Sequence, residues 1–366
     1  DYGTEKVKEE AVRTQFFKLR RQVQQDAEAI MSIELPPRPT LPAIPSQTSL
    51  ADFLQKLYDH TNGVVIGETH HSVASKKFII DNMSWLGQHD VKTLYMEHLL
   101  SDMHQVDLEG FFKNGRMSDS LRGYLKMQDK GHRTDPAGIY TFEKLVFEAQ
   151  KNGIEVRAID CAASYRLEGF PGQKPTSRQR MMNYVASRII QKHQAVAGHH
   201  RWIALVGNSH SNTYQNVPGV AELNGGIGVR VTDVQSGMES SPAYDTGELL
   251  SVATGGSRKE ILLKGDYLLQ LATAPSNALR QAQSAQSIEQ KLAYAGQFLI
   301  EQGQDGKQVI VHRSRDQQIY RTPVMLDAQG RYYVSRATWN SANGQRYDSL
   351  DALIRALKEF KMEHIQ

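Results

Sequence analysis

Two short motifs, Gly67-Glu68-Thr69-His70 and Gly207-Asn208-Ser209-His210, share the pattern Gly-x-x-His. Each follows an apolar run, Val64-Val65-Ile66 before the first and Trp202-Ile203-Ala204-Leu205-Val206 before the second. A third run, Thr93-Leu94-Tyr95-Met96, leads into Glu97-His98, and a fourth ends on Asp160-Cys161. Imidazoles and carboxylates gathered in this way offer two chemistries. A histidine oriented by Glu68 or Glu97 is a general base for water attacking an ester or amide carbonyl. Alternatively, His70, His210 and Glu97 hold a divalent metal that lowers the pKa of a bound water.

For either chemistry the residues must share one edge of a sheet. From Ser49 to about Ala274 strand and helix patterns alternate, with strands expected at 64–67, 92–97, 155–160, 202–207 and 228–234. Helices are expected at 73–87, through much of 101–152, and at 177–195. This βαβ rhythm predicts an α/β fold with a mainly parallel central sheet flanked by helices. In such sheets ligands bind beyond the carboxyl ends of the strands. Glu68, His70, His71, Glu97, His98, Asp160, Asn208 and His210 all fall there. His199 and His200 precede their strand and are assigned no catalytic role.

Other chemistries find less support. There is no Gly-x-x-x-x-Gly-Lys-Ser/Thr phosphate loop, no Gly-x-Gly-x-x-Gly fingerprint and no Gly-x-Ser-x-Gly elbow. Cys161 is the only cysteine, which excludes an internal disulfide and a cysteine zinc site and suits a reducing compartment. A lone cysteine ending a buried strand reads first as a small core residue, second as a thiolate nucleophile. His132 and Arg133 are expected in a polar loop near the site. A net charge of +3 and the lack of an arginine/aromatic cluster do not point to nucleic acid. No apolar run approaches the ~20 residues of a spanning helix. The 366-residue chain opens on Asp1, which predicts a fragment whose targeting sequence is missing.

Three regions follow. Residues 1–48 comprise an amphipathic helix, with Phe16, Leu19, Val23, Ala27 and Ile30 on one face, and a proline-rich extended linker, 36–45. Residues 49–275 form the α/β domain. Residues 276–366 read as a smaller α+β module: a helix at 276–294, short strands at 297–301, 308–313, 317–324 and 331–335, and a helix at 349–361.

The strings Ile66-Gly67-Glu68-Thr69-His70-His71, Leu94-Tyr95-Met96-Glu97-His98 and Val206-Gly207-Asn208-Ser209-His210 resemble a superfamily across roughly residues 50–235. It joins erythromycin esterases, the haem-binding lipoprotein ChaN, the TIKI/TraB proteins and a domain of dermonecrotic toxins and bacterial effectors. The toxin and effector branch is most similar, chiefly around Ser72-Val73-Ala74-Ser75-Lys76-Lys77 and 92–98. The resemblance implies a catalytic edge built on His70, Glu97 and His210, with Glu68 beside it. In the esterase branch His71 would replace His70. It also implies a hydrolase, a metal-dependent peptidase or a haem binder; by their places at the strand ends, His71, His98 and Asp160 are the residues available to a cofactor (a divalent metal first, haem second).

The C-terminal module resembles an SH2 domain in element order and at Gln297-Phe298-Leu299-Ile300-Glu301. There the family's phosphate-gripping arginine is replaced by Glu301. His312, Arg313, Arg315 and Arg321 are the candidates for a substitute cluster. The expectation is a secreted or translocated bacterial virulence factor that acts as a hydrolase on a small-molecule or host-protein substrate. The rivals are a non-catalytic ligand binder and an adaptor recruiting a host protein through 276–366.

Overall fold

The computed structural model describes residues 2–69, 72–132, 138–164, 176–254, 257–274, 287–303, 305–335, 344–359 and 362–365. Two compact units are present: Asp1–Gly247 with Leu263–Thr273, and Glu248–Leu262 with Ala274–Gln366. Among the described residues no helix is long and apolar enough to cross a membrane.

The first unit is built on seven strands: β1 (Gly63–Glu68), β2 (Val91–Leu100), β3 (Glu155–Asp160), β4 (Arg201–Gly207), β5 (Ile227–Gln235), β6 (Ser240–Tyr244) and, after β7 (Glu248–Thr254) and β8 (Ser257–Leu263) of the second unit, β9 (Tyr267–Ala274). Their order is β3-β2-β4-β1-β5-β9-β6. The pairs β1/β4, β1/β5, β2/β3 and β2/β4 are parallel, and β6 runs antiparallel to β9. The expected mainly parallel sheet is therefore present, with an antiparallel edge.

Helices cover both faces, so these strands are apolar on both sides. Val64, Ile66, Leu94, Met96, Ile203 and Leu205 join one core cluster. Val65, Tyr95, Ala204 and Val206 join another, which includes Met182, Ala186 and Ile190 of the long helix Ser177–Ala197. This period-two division continues past the apolar run. Glu97 and His98, adjacent in sequence, therefore point to opposite faces.

The helices, in chain order, are α1 (Tyr2–Ala27), α2 (Leu50–Tyr58), α3 (Ala74–Asp81), α4 (Met83–Gln88), α5 (Ser101–Asn114), α6 (Asp119–His132), α7 (Phe142–Lys151), α8 (Ser177–Ala197), α9 (Asn208–Ser211) and α10 (Val220–Leu223). Ser49 caps α2, as its position predicts, by accepting from the Asp52 amide at 3.1 Å. The single helix expected at 73–87 is broken at Asn82 into α3 and α4. The start of α3 is capped by Asp233 of β5, which accepts from the Ala74 and Val73 amides at 2.5 and 3.1 Å. A carboxylate there complements the positive end of the helix.

The N-terminal helix packs along one side: Ala27 and Ile30 are buried and Val23 partly so, while Leu19, expected on that face, is exposed. The proline-rich segment is extended, yet it also contributes to the core. Leu41 and Ile44 pack against the main cluster, and Arg38 pairs with Asp266 at 2.5 Å.

In the second unit, β10 (Gln297–Gln302), β11 (Gln308–Arg313) and β12 (Ile319–Pro323) form an antiparallel meander, and strand Glu363–His364 runs parallel to β10. Helix Leu350–Glu359 buries Leu353, Ala356 and Leu357 in its core. Of the helix expected at 276–294, a short turn at Ile288–Lys291 is present; 276–286 lie outside the described residues.

Candidate functional site

The carboxyl ends of β1, β2, β3 and β4 bring most of the expected residues close, in two sets divided by the sheet. His70 and His71 lie outside the described residues. Their neighbours are held: the Ser72 amide donates to the Thr69 carbonyl at 2.8 Å.

On the α8 face, Glu97 meets His210, with Nε2 and Oε1 3.7 Å apart. Both residues are 6% exposed. The Gly207 amide donates to Glu97 Oε2 at 2.5 Å and fixes the carboxylate. The His210 ring is held from behind by Asn183 of α8, whose Oδ1 lies 2.7 Å from Nδ1. An amide oxygen only accepts, so Nδ1 carries a proton and Nε2 is the ring nitrogen that faces Glu97.

Arg178, in the first turn of α8, completes this set. Its guanidinium spans Asp160 through Nη2–Oδ2 (2.8 Å) and Nη1–Oδ1 (3.3 Å), and reaches within 3.8 Å of Glu97. Burial works against its charge; the Asp160 and Glu97 carboxylates outweigh that and hold its pKa above the ordinary arginine value. Asp160 also accepts from the Ser164 hydroxyl and from the Cys161 amide. The Arg178 side chain remains 30% exposed and can meet a ligand.

On the opposite face, Glu68 is buried. Its Oε2 accepts from Ser75 (2.7 Å) and Lys76 (3.3 Å), and its Oε1 lies 2.6 Å from His98 Nε2. Lys76 is fully buried, with its ammonium 4.5 Å from the centre of the Phe142 ring and bonded to the Ser72 carbonyl. Removing one member of such a buried pair costs about 3–5 kcal/mol, because a charge is stranded away from water. Sequence position grouped His98 with Glu97; strand parity sends it to this second set instead.

The two motif glycines have different reasons. A Cβ on Gly67 would come within 2.8 Å of both Asn208 Oδ1 and Ser211 Oγ. A glycine there lets α9 close onto β1, a protein contact where the sequence suggested a turn or a ligand. Gly207 is in ordinary extended backbone and caps α9. His200 bonds Thr93 at 2.8 Å near the start of β2, at the end of the sheet away from Glu97. His132 ends α6, its ring 5.8 Å from that of His98; Arg133 lies outside the described residues. The Cys161 thiol is pushed up by burial and by Asp160, which opposes a thiolate role.

Arg178, Asn183 and Asp233 were not anticipated. The one available signal was Asn183, a poor helix former at a buried helical position. As for a metal, no group of three or more His, Cys, Asp or Glu side chains among the described residues is arranged to hold one. Arg178 also sets its own positive charge against Glu97. His70, one of the three expected ligands, lies outside the described residues, and no step is derived through a metal.

No family model matches the chain. Over 180 residues, 48% of this chain, it is 27% identical to a multifunctional-autoprocessing repeats-in-toxin protein of Vibrio vulnificus. That stretch spans 3% of the toxin. Among solved structures, it is similar to RRSP, a MARTX toxin effector domain from Vibrio vulnificus, with 25% identity and a TM-score of 0.43. The likeness covers 50% of this chain and 36% of that one. The C-terminal region of the Pasteurella multocida toxin aligns at 17% identity and TM-score 0.39, over 51% of this chain and 25% of that one. ChaN of Campylobacter jejuni aligns at 13% identity and TM-score 0.37, over 61% of this chain and 91% of that one. Over about half its length the chain is similar in sequence to a bacterial toxin and to a toxin effector domain.

Proposed function

We propose that the chain is a toxin effector, delivered into a host cell, whose first unit hydrolyses an ester or amide bond. The observation that carries this reading is the buried Glu97–His210 pair, with Asn183 fixing the His210 tautomer. His210 Nε2 takes a proton from water while the resulting hydroxide forms a bond to the carbonyl carbon. Glu97 stabilises the imidazolium that results. Arg178, aimed by Asp160, faces the oxygen on which negative charge develops. Collapse breaks the bond to the leaving group, which recovers the proton from His210. By the resemblance, His70 shares the role of base and Glu68 supports its loop.

Glu97→Gln and His210→Ala, with His70→Ala alongside, test this in cultured host cells. General acid–base groups contribute about 10²–10⁴-fold, so each variant should lose toxicity by that order while remaining folded at the assay temperature. Full toxicity of Glu97→Gln and His210→Ala at equal folding would sink the reading.

We also read the second unit as SH2-like without a phosphotyrosine grip. The order of its elements supports the likeness: short helix, antiparallel meander, helix, and a last strand parallel to the first of the meander. The chemistry opposes the grip. Glu301 pairs with Arg321 at 3.7 Å, and Arg313 is bound by the carbonyls of Leu292, Gln317 and Glu289. His312 is buried, which pushes its pKa down to about 4 and leaves it neutral.

A further inference from the structure

The N-terminal helix is amphipathic in sequence. Most of its described side chains are exposed, but Arg20 is only 8% exposed. Its guanidinium donates from Nε to the Ala163 carbonyl (2.9 Å) and from Nη2 to the Ala162 carbonyl (3.5 Å). Those carbonyls belong to the 3-10 turn Ala162–Ser164, directly after Asp160 and Cys161. Ser164 of that turn donates to Asp160 and accepts from Arg178 Nη1 at 2.9 Å. About two turns further along, just past α1, Glu28 binds Arg180 of α8 at 2.6 Å. Residues just beyond α1 therefore hold the start of α8 while α1 itself holds the turn, and these are the two segments that orient Arg178.

We propose that Arg20 is a positioning residue of the site: it pins the 162–164 turn and, through Ser164 and Asp160, sets the direction in which Arg178 faces Glu97. The role in turnover rests on the hydrolase reading; the pinning does not. An exposed helix stapled by one buried arginine to the carbonyls of a site turn is a costly arrangement for packing alone, because the long side chain must be immobilised and its charge partly desolvated. The staple ties Asp160 to a helix more than a hundred residues away in sequence.

The chain contains its own reporter. Cys161, the only cysteine, sits between Asp160 and the turn and is half-buried. Thiol labelling with Ellman's reagent on the full chain thus measures how firmly the turn is held. Loss of a charged hydrogen bond should raise the labelling rate of Arg20→Ala about tenfold. Guanidinium chloride at about 20 mM, far below denaturing levels, should restore slow labelling, and sodium chloride at equal ionic strength should not. Arg20→Lys, whose single ammonium reaches one carbonyl, should be intermediate. It also carries the test if Arg20→Ala does not fold.

In host cells, folded Arg20→Ala should be about tenfold less toxic, following the same lost bond. Unchanged Cys161 labelling in both variants overturns the proposal, as does rescue by either salt alike. Faster labelling with full toxicity overturns the positioning role. Should His210→Ala stay toxic, the hydrolase reading fails and the labelling result still decides whether Arg20 pins the turn.

Discussion

Asn183 is where the proposed mechanism is most exposed to test. Replacing it with alanine removes the acceptor at His210 Nδ1 and also the bond from its own Nδ2 to the Pro218 carbonyl (2.8 Å). The stability cost is that of stranding a buried donor and a buried acceptor, about 1–3 kcal/mol. The catalytic cost has a different origin. Glu97 Oε1 then stands as an acceptor for the ring, 3.7 Å from Nε2. A bond to a carboxylate is worth about 1.5–3 kcal/mol, so it draws the proton to Nε2 and occupies the lone pair that should receive water's proton. At 1.4 kcal/mol per factor of ten, the competent tautomer falls about 10- to 100-fold.

Asn183→Asp separates the two costs. It also loses the Pro218 bond but retains an acceptor at Nδ1. Toxicity dose–response in host cells, with ¹⁵N NMR of the histidine side chains, should show Asn183→Ala impaired 10- to 100-fold and shifted to the Nε2–H tautomer, on the same reasoning. Asn183→Asp should retain Nδ1–H and most toxicity. Equal losses in the two variants, or full toxicity in Asn183→Ala, would refute tautomer control.

Two further outcomes concern the second unit. Burial holds the His312 pKa at about 4, below its ordinary 6.5, so the folded state resists protonation there. Its contribution is present above pH 6.5 and is lost as pH falls through about 4. The urea midpoint of this unit should therefore drop between pH 7 and pH 4.5, and less so in His312→Phe; an identical drop in both would exclude His312 as a cause. Calorimetric titration of the full chain with a phosphotyrosine peptide should give no saturable heat, because Glu301 repels phosphate and pairs with Arg321. Saturable binding abolished by Arg321→Ala would reverse that conclusion.

Much of the architecture was legible locally. Val64–Ile66, Leu94–Met96 and Ile203–Val206 are apolar on both faces, which marks buried parallel strands, and the polar residues that follow them mark the carboxyl edge. The break at Asn82 was less visible, since residues on both sides of it carry helical patterning. Leu19 was placed on the packed face of α1 and is exposed, because α1 buries only the side that meets α8 and the 162–164 turn.

What the sequence by itself determined is which residues gather near the strand ends: Glu68 and Asp160 close β1 and β3, Glu97 and His98 fall late in β2, and His210 lies just beyond β4. Parity along β2, a local property, already separates Glu97 from His98. Only the tertiary structure decided their partners. Gly207 comes to Glu97 across 110 residues, Asn183 to His210 across 27, and Arg20 to Ala163 across 143. Such pairings depend on strand order, which places β4 between β2 and β1, and on which helix covers which face. A hydrogen bond needs its partners within about 3 Å, and no local pattern encodes a distance closed by the packing of the whole unit.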